Sequence, residues 1–388
     1  MDLLKFNYFC RGVKRGREYV CSGNASEEER SKAGELLAEA VRRIWRWRVW
    51  DSWWVVEWMD EWLNARDRLE TQLRGKYVDD VVNGITGLVD KFIGYNEQFL
   101  NYWREVGYET RRLIDDLTNG KAEVVIRGED ASGISVHSEH ITLDAHKARG
   151  GSITVKLVLN GLEGVTIKVP DVFRKTMSGE EYRRFIRKVL KALRGGFEET
   201  DGFVAKGKAT MITTQVWQVI VWALLYPGEV RMYIDSINVN NGDVTIKWYM
   251  RSSHKPLKGK ILSNADRLSE EELLAFAFTA VLGDGSATIE KDRYGHDVAV
   301  IEIAMSDEKF KAWLPLLERL REIGFKSGKP KYDESRNKVD VRFRSSFAID
   351  LARAMINVLP LILRDVLDAL GFDKWVRIRR IAEMEVKF

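Results

Sequence analysis

Residues 273–286 read LLAFAFTAVLGDGS and carry the most informative pattern in the chain. Ser269 and Glu272 precede this stretch at the spacing of a capping box, which predicts that a helix begins directly after Ser269. Apart from Thr279, the first ten residues are all apolar or small. A helix without a polar face must be buried on all sides, so the pattern predicts a central helix.

Small side chains recur along this predicted helix. Ala275, Thr279 and Gly283 are spaced four residues apart and therefore share one face. Because the distance between two packed helices depends on the side chains at the contact, this stripe predicts a second helix that approaches closely. The sequence Gly283-Asp284-Gly285 then ends the helix and leaves the Asp284 carboxylate at its tip.

Downstream of the motif, apolar periodicity predicts the order strand, strand, helix, strand, strand, helix. The strands are expected at residues 287–291, 298–304, 325–332 and 338–344, and the helices at residues 307–323 and 347–359. Pro315 is expected to interrupt the first of these helices after one turn. Together with the motif helix, residues 269–359 therefore predict an αββαββα unit.

The last predicted strand has two chemically different faces. Its apolar face consists of Val339, Val341 and Phe343, which alternate with charged residues. Arginine can contact guanine and lysine can contact phosphate, so the charged face and its neighbour predict a nucleic-acid surface. The candidate contact residues are Lys326, Lys329, Lys331, Lys338, Arg342 and Arg344. An ordinary solvated sheet face is the alternative.

This region resembles one half of a LAGLIDADG homing endonuclease, a family whose motif often ends in Gly-Asp-Gly. In that family two motif helices pack at a twofold or pseudo-twofold axis, and each brings one acidic residue to a shared divalent-metal site. The resemblance implies that Asp284 is the catalytic acidic residue and metal ligand, with Mg²⁺ as the cofactor. It also implies that Ala275, Thr279 and Gly283 form the helix interface, with Thr279 where the family usually has glycine.

The resemblance implies double-stranded DNA as the partner, with RNA as the alternative, and it requires a second motif helix. That helix comes from a second copy of the chain, in a homodimer, or from a pseudo-twofold first half within residues 122–253. The expected neighbour in the chain is the uncharged segment 209–226. Pro227 and Gly228 follow it and break the helix before Glu229, which makes Glu229 a poor second carboxylate. The sequence therefore offers only half of a metal site, the carboxylate of Asp284. DNA binding without cleavage is therefore favoured.

Residues 209–228 also carry no charge and approach the length of a membrane span. Polar side chains within it would be penalised in hydrocarbon, so a buried core helix is expected and no membrane partner. These polar residues are Thr213, Thr214, Gln215 and Gln218.

Near the amino terminus, Ser26 and Glu29 form a capping box ahead of a helical pattern that continues to about Arg74. A second helical pattern covers residues 77–117, so the simplest arrangement is an antiparallel helical hairpin. The first helix is rich in tryptophan, at Trp45, Trp47, Trp50, Trp53, Trp54, Trp58 and Trp62. Four of these, from Trp50 to Trp62 at intervals of four, share one face and favour a bundle core. Beside several arginines they could instead stack on bases, or lie in a membrane interface or a subunit interface.

The middle region, residues 121–255, reads as mixed α/β. Ser178 and Glu181 form a capping box for a helix that Gly195 is expected to close, and residues 251–266 read as a polar linker. One predicted strand and the residues just before it carry potential metal ligands. These are His137, Glu139, His140, Asp144 and His146. No known ligand spacing is matched, so a half-buried strand is favoured over a metal site.

Bulk composition narrows the class of protein. The 62 Lys and Arg residues against 58 Asp and Glu give a net charge of +4, which permits a nucleic-acid partner without requiring one. No secretory signal is visible, so a cytoplasmic protein is expected, and the dense charge is typical of thermophiles. Cys10 and Cys21 flank a predicted hairpin turn at Lys14-Arg15-Gly16; free thiols are favoured and a disulfide is the alternative.

The sequence therefore predicts an α+β protein in three consecutive parts. A Trp-rich long-helix hairpin with a short β-hairpin before it occupies residues 1–120. A mixed α/β region occupies residues 121–255, and a LAGLIDADG-like domain with a C-terminal helix and basic tail occupies residues 256–388.

The predicted function is DNA binding, with Mg²⁺-dependent endonuclease activity as an extension. The alternatives are a non-catalytic regulator, an RNA-binding maturase, or an assembly protein driven by the helical hairpin. The whole chain is also similar to uncharacterised archaeal paralogous-repeat proteins.

Overall fold

Helices and strands are interspersed along the whole chain in the computed structural model, which is mixed α+β. The structure describes residues 8–15, 18–51, 54–128, 130–148, 151–334 and 337–385. The chain divides into two compact units, each built from three separated segments. Unit 1 consists of Met1–Trp62, Phe92–Val165 and Met232–Tyr249, and unit 2 of Leu63–Lys91, Thr166–Arg231 and Met250–Phe388. This interleaved division differs from the three consecutive parts that the sequence predicts.

The elements have the following bounds. The helices are α1 (Glu27–Trp47), α2 (Trp54–Leu73), α3 (Asp79–Val106), α4 (Tyr108–Thr118), α5 (Val172–Thr176), α6 (Gly179–Arg187), α7 (Val189–Thr200), α8 (Val216–Leu225), α9 (Glu270–Leu282), α10 (Asp307–Glu322), α11 (Ser346–Asn357), α12 (Leu361–Leu370) and α13 (Asp373–Glu383). The strands are β1 (Tyr8–Arg15), β2 (Glu18–Asn24), β3 (Glu123–Arg127), β4 (Gly133–His137), β5 (Ile141–Lys147), β6 (Ile153–Leu159), β7 (Val165–Val169), β8 (Gly202–Ala205), β9 (Lys208–Thr213), β10 (Gly228–Val239), β11 (Val244–Ser252), β12 (Gly285–Lys291), β13 (Asp297–Met305), β14 (Lys331–Asp333) and β15 (Lys338–Arg344).

Unit 1 opens with the predicted β-hairpin, in which β1 and β2 are antiparallel. Cys10 and Cys21 form a disulfide across it, with their Cα atoms 5.5 Å apart, so the favoured expectation of free thiols is wrong. Strand pairing brings the two Cα atoms within the range that a disulfide can bridge. Gly16 of the predicted turn lies outside the described residues.

The single long helix expected from residue 27 to about Arg74 is in fact two helices. The predicted capping box at Ser26 begins α1, and α1 ends at Arg48, whose φ of 43° is left-handed. A 3₁₀ turn that contains Trp50 follows, and then α2. Neither glycine nor proline stands at the break, so the sequence gives no stop signal there. Trp53 lies outside the described residues.

Aromatic side chains form the core of unit 1. Trp58 stacks on Trp248 with ring centres 5.7 Å apart, and Trp62 meets the same ring edge-on at 5.4 Å. Trp54 and Trp62 are only 4% and 0% exposed. The interpretation of the tryptophan stripe as a core is therefore confirmed for these residues.

The sheet of unit 1 has the strand order β2-β1-β3-β4-β5-β6-β10-β11. Strands β10 and β11 have residues in both units. Helix α1 packs against β4, β5 and β6. The candidate metal ligands of the sequence separate here: Glu139 and His140 lie close to Glu109 of α4, while Asp144 contacts Arg127 and Lys156.

In unit 2, the predicted order from the motif helix onward is confirmed as α9-β12-β13-α10-β14-β15-α11. Two details were wrong. Pro315 lies inside α10 without ending it, on an exposed face where the carbonyl that loses its partner meets solvent. The strand expected at residues 325–332 is reduced to β14, so Lys326 and Lys329 lie in an irregular segment before it.

Two predictions for the preceding region were wrong, and a third is confirmed in part. Gly195 lies inside α7 rather than closing a helix. The uncharged segment forms the expected buried helix only over α8, which follows the strand β9. The expected linker at residues 251–266 contains buried Ile261 and Leu262 and leads into a 3₁₀ turn, because its few apolar residues have a core to enter.

The chain repeats one order of helices and strands. The elements α7-β8-β9-α8-β10-β11 and α9-β12-β13-α10-β14-β15 follow one another in the same order of helices and strands. Their strands also lie in the same spatial order, β8-β9-β11-β10 in the first and β12-β13-β15-β14 in the second.

Among the described residues, no single helix is long and apolar enough to cross a membrane. Helices α11 and α12 satisfy that test only when taken together, across a bend of 114°.

Candidate functional site

The two helices that begin the repeats, α7 and α9, pack directly against each other. Helix α9 is buried on all sides, as its apolar sequence predicts. Its neighbour is α7 of the same chain, so the expectation that the uncharged segment 209–226 or a second chain fills this place is wrong. Two helices pack this closely only where small residues lie at the contact.

Glycines provide this space at two matched positions, Gly196 in α7 and Gly283 at the end of α9. A Cβ at Gly196 would overlap the Thr279 side chain, and a Cβ at Gly283 would overlap the Thr200 side chain. Each threonine hydroxyl bonds within its own helix, Thr200 to the Gly196 carbonyl at 2.9 Å and Thr279 to the Phe276 carbonyl at 3.3 Å. Each glycine therefore accommodates a threonine of the other helix. Of the predicted interface residues, Thr279 and Gly283 make this contact, and Ala275 is fully buried in the same helix.

Both helices turn sharply into a strand at an equivalent glycine. A Cβ at Gly202 would lie 2.6 Å from the Glu198 Cα, and a Cβ at Gly285 would lie 2.6 Å from the Val281 Cα. No side chain fits at that distance, so glycine is required at both turns. The residue before each glycine is an aspartate, Asp201 in one half and Asp284 in the other.

Asp201 lies in a largely buried polar environment. Its Oδ2 accepts a hydrogen bond from Gln218 Nε2 at 2.5 Å. Burial raises the pKa of Asp201, and the nearby negative charge of Asp284 raises it further. A Cβ at Gly283 would lie 2.8 Å from the same Oδ2, so the carboxylate lies beside the end of α9. The two aspartates are therefore close enough to interact electrostatically.

Asp284 is more accessible and is paired with a cation. Its Oδ2 lies 2.5 Å from Lys309 Nζ, at the first turn of α10. The Asp284 side chain is 35% exposed, so a polar ligand can reach it.

A second lysine completes the group. Lys374 Nζ donates to the carbonyl oxygens of Leu282 and Gly283, both at 2.7 Å. Burial lowers the pKa of Lys374, and the charges of Asp201 and Asp284 oppose this shift. We call Asp201, Asp284, Lys309 and Lys374 the carboxylate–lysine site.

Stacked aromatic rings fix the position of Lys374. Phe372 caps the amino terminus of α13, and its ring stacks on Trp217 of α8 with centres 3.8 Å apart. Trp217 is adjacent in sequence to Gln218, which binds Asp201. Helices α8 and α13 therefore both contribute residues that position the site.

The donor atoms of this site fit a divalent cation poorly in the arrangement described. Magnesium prefers oxygen ligands in near-octahedral geometry, usually with one or two carboxylates. Two carboxylates are present, but an ammonium group already contacts Asp284 and another takes the two backbone carbonyls. With all four side chains ionised, the two lysines balance the two aspartates. A divalent ion would therefore have to displace ammonium groups from a site that is already neutral.

The charged residues of β15, which the sequence suggests as nucleic-acid contacts, are paired with carboxylates. Its apolar residues Val339, Val341 and Phe343 are buried, as expected. The cations pair with carboxylates, namely Arg342 with Glu302 at 2.5 Å, Lys338 with Asp340 at 2.7 Å and Arg344 with Glu290 at 3.3 Å. Lys326, Lys329 and Lys331 are exposed and have no ion pair within the described part of the chain.

The corresponding strands of the first repeat carry cations that sequence reasoning missed. Arg231 on β10 is exposed beside buried Val230, and Arg251 on β11 lies between buried Met250 and Ser252. Neither arginine has an ion-pair partner in the ranges that the structure describes. Each arginine can therefore contact phosphate without first breaking an ion pair.

Asp201 was missed as well, although the sequence contained a signal for it. Residues 200–202 read TDG and residues 283–285 read GDG, each after a helix with a small residue four positions earlier, Gly196 and Thr279. The interpretation of Gly195 as a helix end hid this match. Lys309 and Lys374 carry no sequence signal, because only the fold brings them to the carboxylates.

Comparison with known protein families and with curated proteins finds no match to this chain.

Proposed function

We propose that this chain is a DNA-binding protein of LAGLIDADG homing-endonuclease descent, with both halves in one polypeptide. The observation that carries the proposal is the packing of α7 on α9, which brings Asp201 and Asp284 to one place through the glycine–threonine contacts. A pseudo-twofold pair of motif helices is what the resemblance of residues 269–359 requires. The repeated strand order of the two halves supports the same origin.

The proposal is for binding without cleavage. Phosphodiester hydrolysis of this kind relies on a divalent cation to activate water and to stabilise charge on phosphate. Lys309 pairs with Asp284, and Lys374 occupies the backbone carbonyls of Leu282 and Gly283, which argues against a resident Mg²⁺. Asp284, the candidate catalytic residue and metal ligand, then serves as the ion-pair partner of Lys309.

Duplex contact would depend mainly on cations that are free of carboxylate partners within the described residues. In the first half these include Arg231 and Arg251, and in the second half Lys326, Lys329 and Lys331. The paired cations Lys338, Arg342 and Arg344 contribute less, because each would exchange one carboxylate for another anion. Non-specific DNA affinity arises from phosphates neutralised by such side chains.

One specific observation keeps a nuclease as the second candidate. Asp201 and Asp284 supply the two carboxylates that a shared metal site needs, and the Asp284 side chain is partly accessible. Bound DNA brings phosphates that compete for the lysines, and this could release the carboxylates for Mg²⁺. The assembly alternative loses support, because Trp54 and Trp62 of the helical hairpin are used in the core.

Binding to a 30-base-pair random duplex and to RNA of the same sequence tests the proposal with the full chain. We expect DNA affinity to fall with salt, with a log–log slope of about −0.9 per phosphate neutralised. Adding Mg²⁺ should not strengthen binding, because the cation only competes for DNA phosphates, and it should leave the DNA length unchanged. Tighter binding to RNA would favour a maturase, and no binding to either would refute the proposal.

Cleavage is tested on a library of DNA targets with Mg²⁺, using wild type, Asp201→Asn, Asp284→Asn and Lys309→Met. No cleavage by any of these proteins, together with DNA binding by wild type, supports the proposal. Cleavage by wild type that either aspartate substitution abolishes would establish the nuclease instead. Cleavage by Lys309→Met alone would identify the lysine as the group that blocks metal binding.

A further inference from the structure

A cleft of about 880 Å³ lies in unit 2, with none of its lining residues in the carboxylate–lysine site. Small-molecule sites usually have volumes of about 300–1,000 Å³, so the cleft is large enough for a metabolite. Four basic side chains line it: Lys91, Lys168, Arg194 and His254. We call it the cationic cleft.

The charge in the cationic cleft is not compensated by its own lining. Its one carboxylate is Asp171, which already accepts hydrogen bonds from the Tyr182 hydroxyl and the Arg174 backbone N–H. Lys91 and Lys168 have no ion-pair partner in the described part of the chain. The cleft therefore attracts anions.

Arg194 is fixed in place with part of its guanidinium available. Its Nε donates to the Leu225 carbonyl at 2.5 Å, and the group lies 4.9 Å from the ring centre of Tyr226. The neighbouring Glu198 does not pair with it, because that carboxylate accepts from the Tyr226 hydroxyl and from the Leu257 N–H. No hydrogen-bond partner for the two terminal amino groups of Arg194 is found among the described residues. Such a planar pair of donors suits carboxylate or phosphate.

His254 adds a polar group that the protein leaves unpartnered. Its Nδ1 is buried and has no hydrogen-bond partner within the described ranges. Buried polar atoms are nearly always bonded, so this atom calls for a ligand or water. Burial and the charges of Arg194 and Lys208 lower the pKa of His254 to about 4, so the ring is neutral at pH 7.

Missing side chains on α3 create part of the space. Gly87 lines the cleft, and a Cβ there would have nothing within 4 Å. Apolar Leu88 and Leu190 also line it. The cleft thus has both apolar and cationic side chains in its lining, which is the usual composition of a site for a small organic molecule.

We infer that the cationic cleft binds a small organic anion, whose phosphate or carboxylate group contacts Arg194, Lys91 and Lys168 while its apolar part lies against Leu88 and Leu190. This inference goes beyond the proposed DNA binding and does not depend on it. Arg194 belongs to α7, which ends next to Asp201, so a bound anion stabilises the helix that carries the carboxylate–lysine site.

Calorimetric titration of the full chain with phenyl phosphate, benzoate, inorganic phosphate, benzyl alcohol and benzylamine tests the inference. We expect the first two to bind and to raise the melting temperature, and benzyl alcohol and benzylamine to have no effect. Lys91→Gln with Lys168→Gln should weaken binding by about tenfold or more, since one charge-assisted hydrogen bond contributes that much. Lys191→Gln, an exposed lysine of α7 outside the cleft, is the charge control and should leave affinity unchanged.

Gly87→Leu fills the cleft and should abolish binding, whereas Gly94→Leu places the same side chain at another open position of α3 and should not. Equal affinity in all variants, or no anion binding by wild type at millimolar concentration, would overturn the inference. The inference would also be overturned if no small anion binds and the lysine substitutions weaken only DNA binding. The cleft would then be part of a nucleic-acid surface. Failure of DNA binding with intact anion binding would refute the proposed function alone.

Discussion

Gly196 of α7 lies directly against Thr279 of α9, so closely that a Cβ on the glycine would overlap the threonine hydroxyl. The same relationship recurs with the roles exchanged at Thr200 and Gly283. These two contacts set the distance between the helices and, through it, the distance between Asp201 and Asp284.

Substitution at this contact should be costly. Gly196→Val introduces a branched side chain where no space exists, so we expect the free energy of unfolding to fall by about 1–3 kcal/mol, the usual range for overpacking. Thr279→Leu should act in the same direction. Urea denaturation measures the change, with Gly94→Ala as a control in which open space surrounds the new methyl group. If Gly196→Val were as stable as the control, the close approach of α7 and α9 would be disproved.

Replacing the buried aspartate should stabilise the protein. The folded-state pKa of Asp201 lies above its ordinary value, so its favourable contribution is present at low pH and is lost as the pH rises through that folded pKa. Above that folded-state pKa the ionised carboxylate destabilises the fold, so Asp201→Asn should there raise the free energy of unfolding by about 0.5–2 kcal/mol. The gain should shrink as the pH falls through the folded-state pKa of Asp201. Exposed Asp60→Asn serves as the control, and a gain that is independent of pH would contradict the assignment.

Two pairs of arginines distinguish the halves as DNA-binding surfaces. Arg231→Ala with Arg251→Ala removes cations that have no carboxylate partner within the described residues, so DNA affinity and the salt slope should both fall, the slope by about 0.9 for each phosphate that is no longer neutralised. Arg342→Ala with Arg344→Ala should have a smaller effect, because Glu302 and Glu290 already neutralise those cations. Filter binding across a KCl series compares them. A larger loss of DNA affinity in the Arg342 and Arg344 variant would instead identify β15 as the binding surface, as the sequence suggests.

The amino-terminal disulfide should contribute measurably to stability. Cys10 and Cys21 are separated by 11 positions, and closing a loop of this size stabilises a fold by about 3 kcal/mol on the chain-entropy model. Cys10→Ser with Cys21→Ser should therefore lower the free energy of unfolding by about 2–3 kcal/mol. Dithiothreitol should lower wild type to the same value and leave the variant unchanged. Equal stability of oxidised wild type and the variant would mean that the bond does not constrain the unfolded chain.

Local patterns were sufficient for much of the second half of unit 2. The capping box at Ser269 and the apolar run that follows it determine where α9 begins and that it is buried, because both signals act within a few residues. Alternation in residues 338–344 likewise gave the apolar face of β15, although Asp340 on the charged face is buried as well. The boundaries failed where tertiary packing overrides local preference, as at Arg48, which ends α1 without a stop signal, and at Pro315, which α10 tolerates on an exposed face.

The sequence by itself determined the motif helix, its small face and the aspartate at its tip, since these depend on side-chain size and helical periodicity alone. Only the tertiary structure decided which helix fills that face, because Gly195 and Gly196 read locally as a helix end but serve as a contact surface within α7. It also decided the chemistry of the site. Lys309 and Lys374 lie 25 and 90 residues beyond Asp284 in the chain, and no spacing rule links residues so far apart. Their approach to the two carboxylates follows from the packing of α10 and α13, and it converts a predicted half of a metal site into a charge-balanced group.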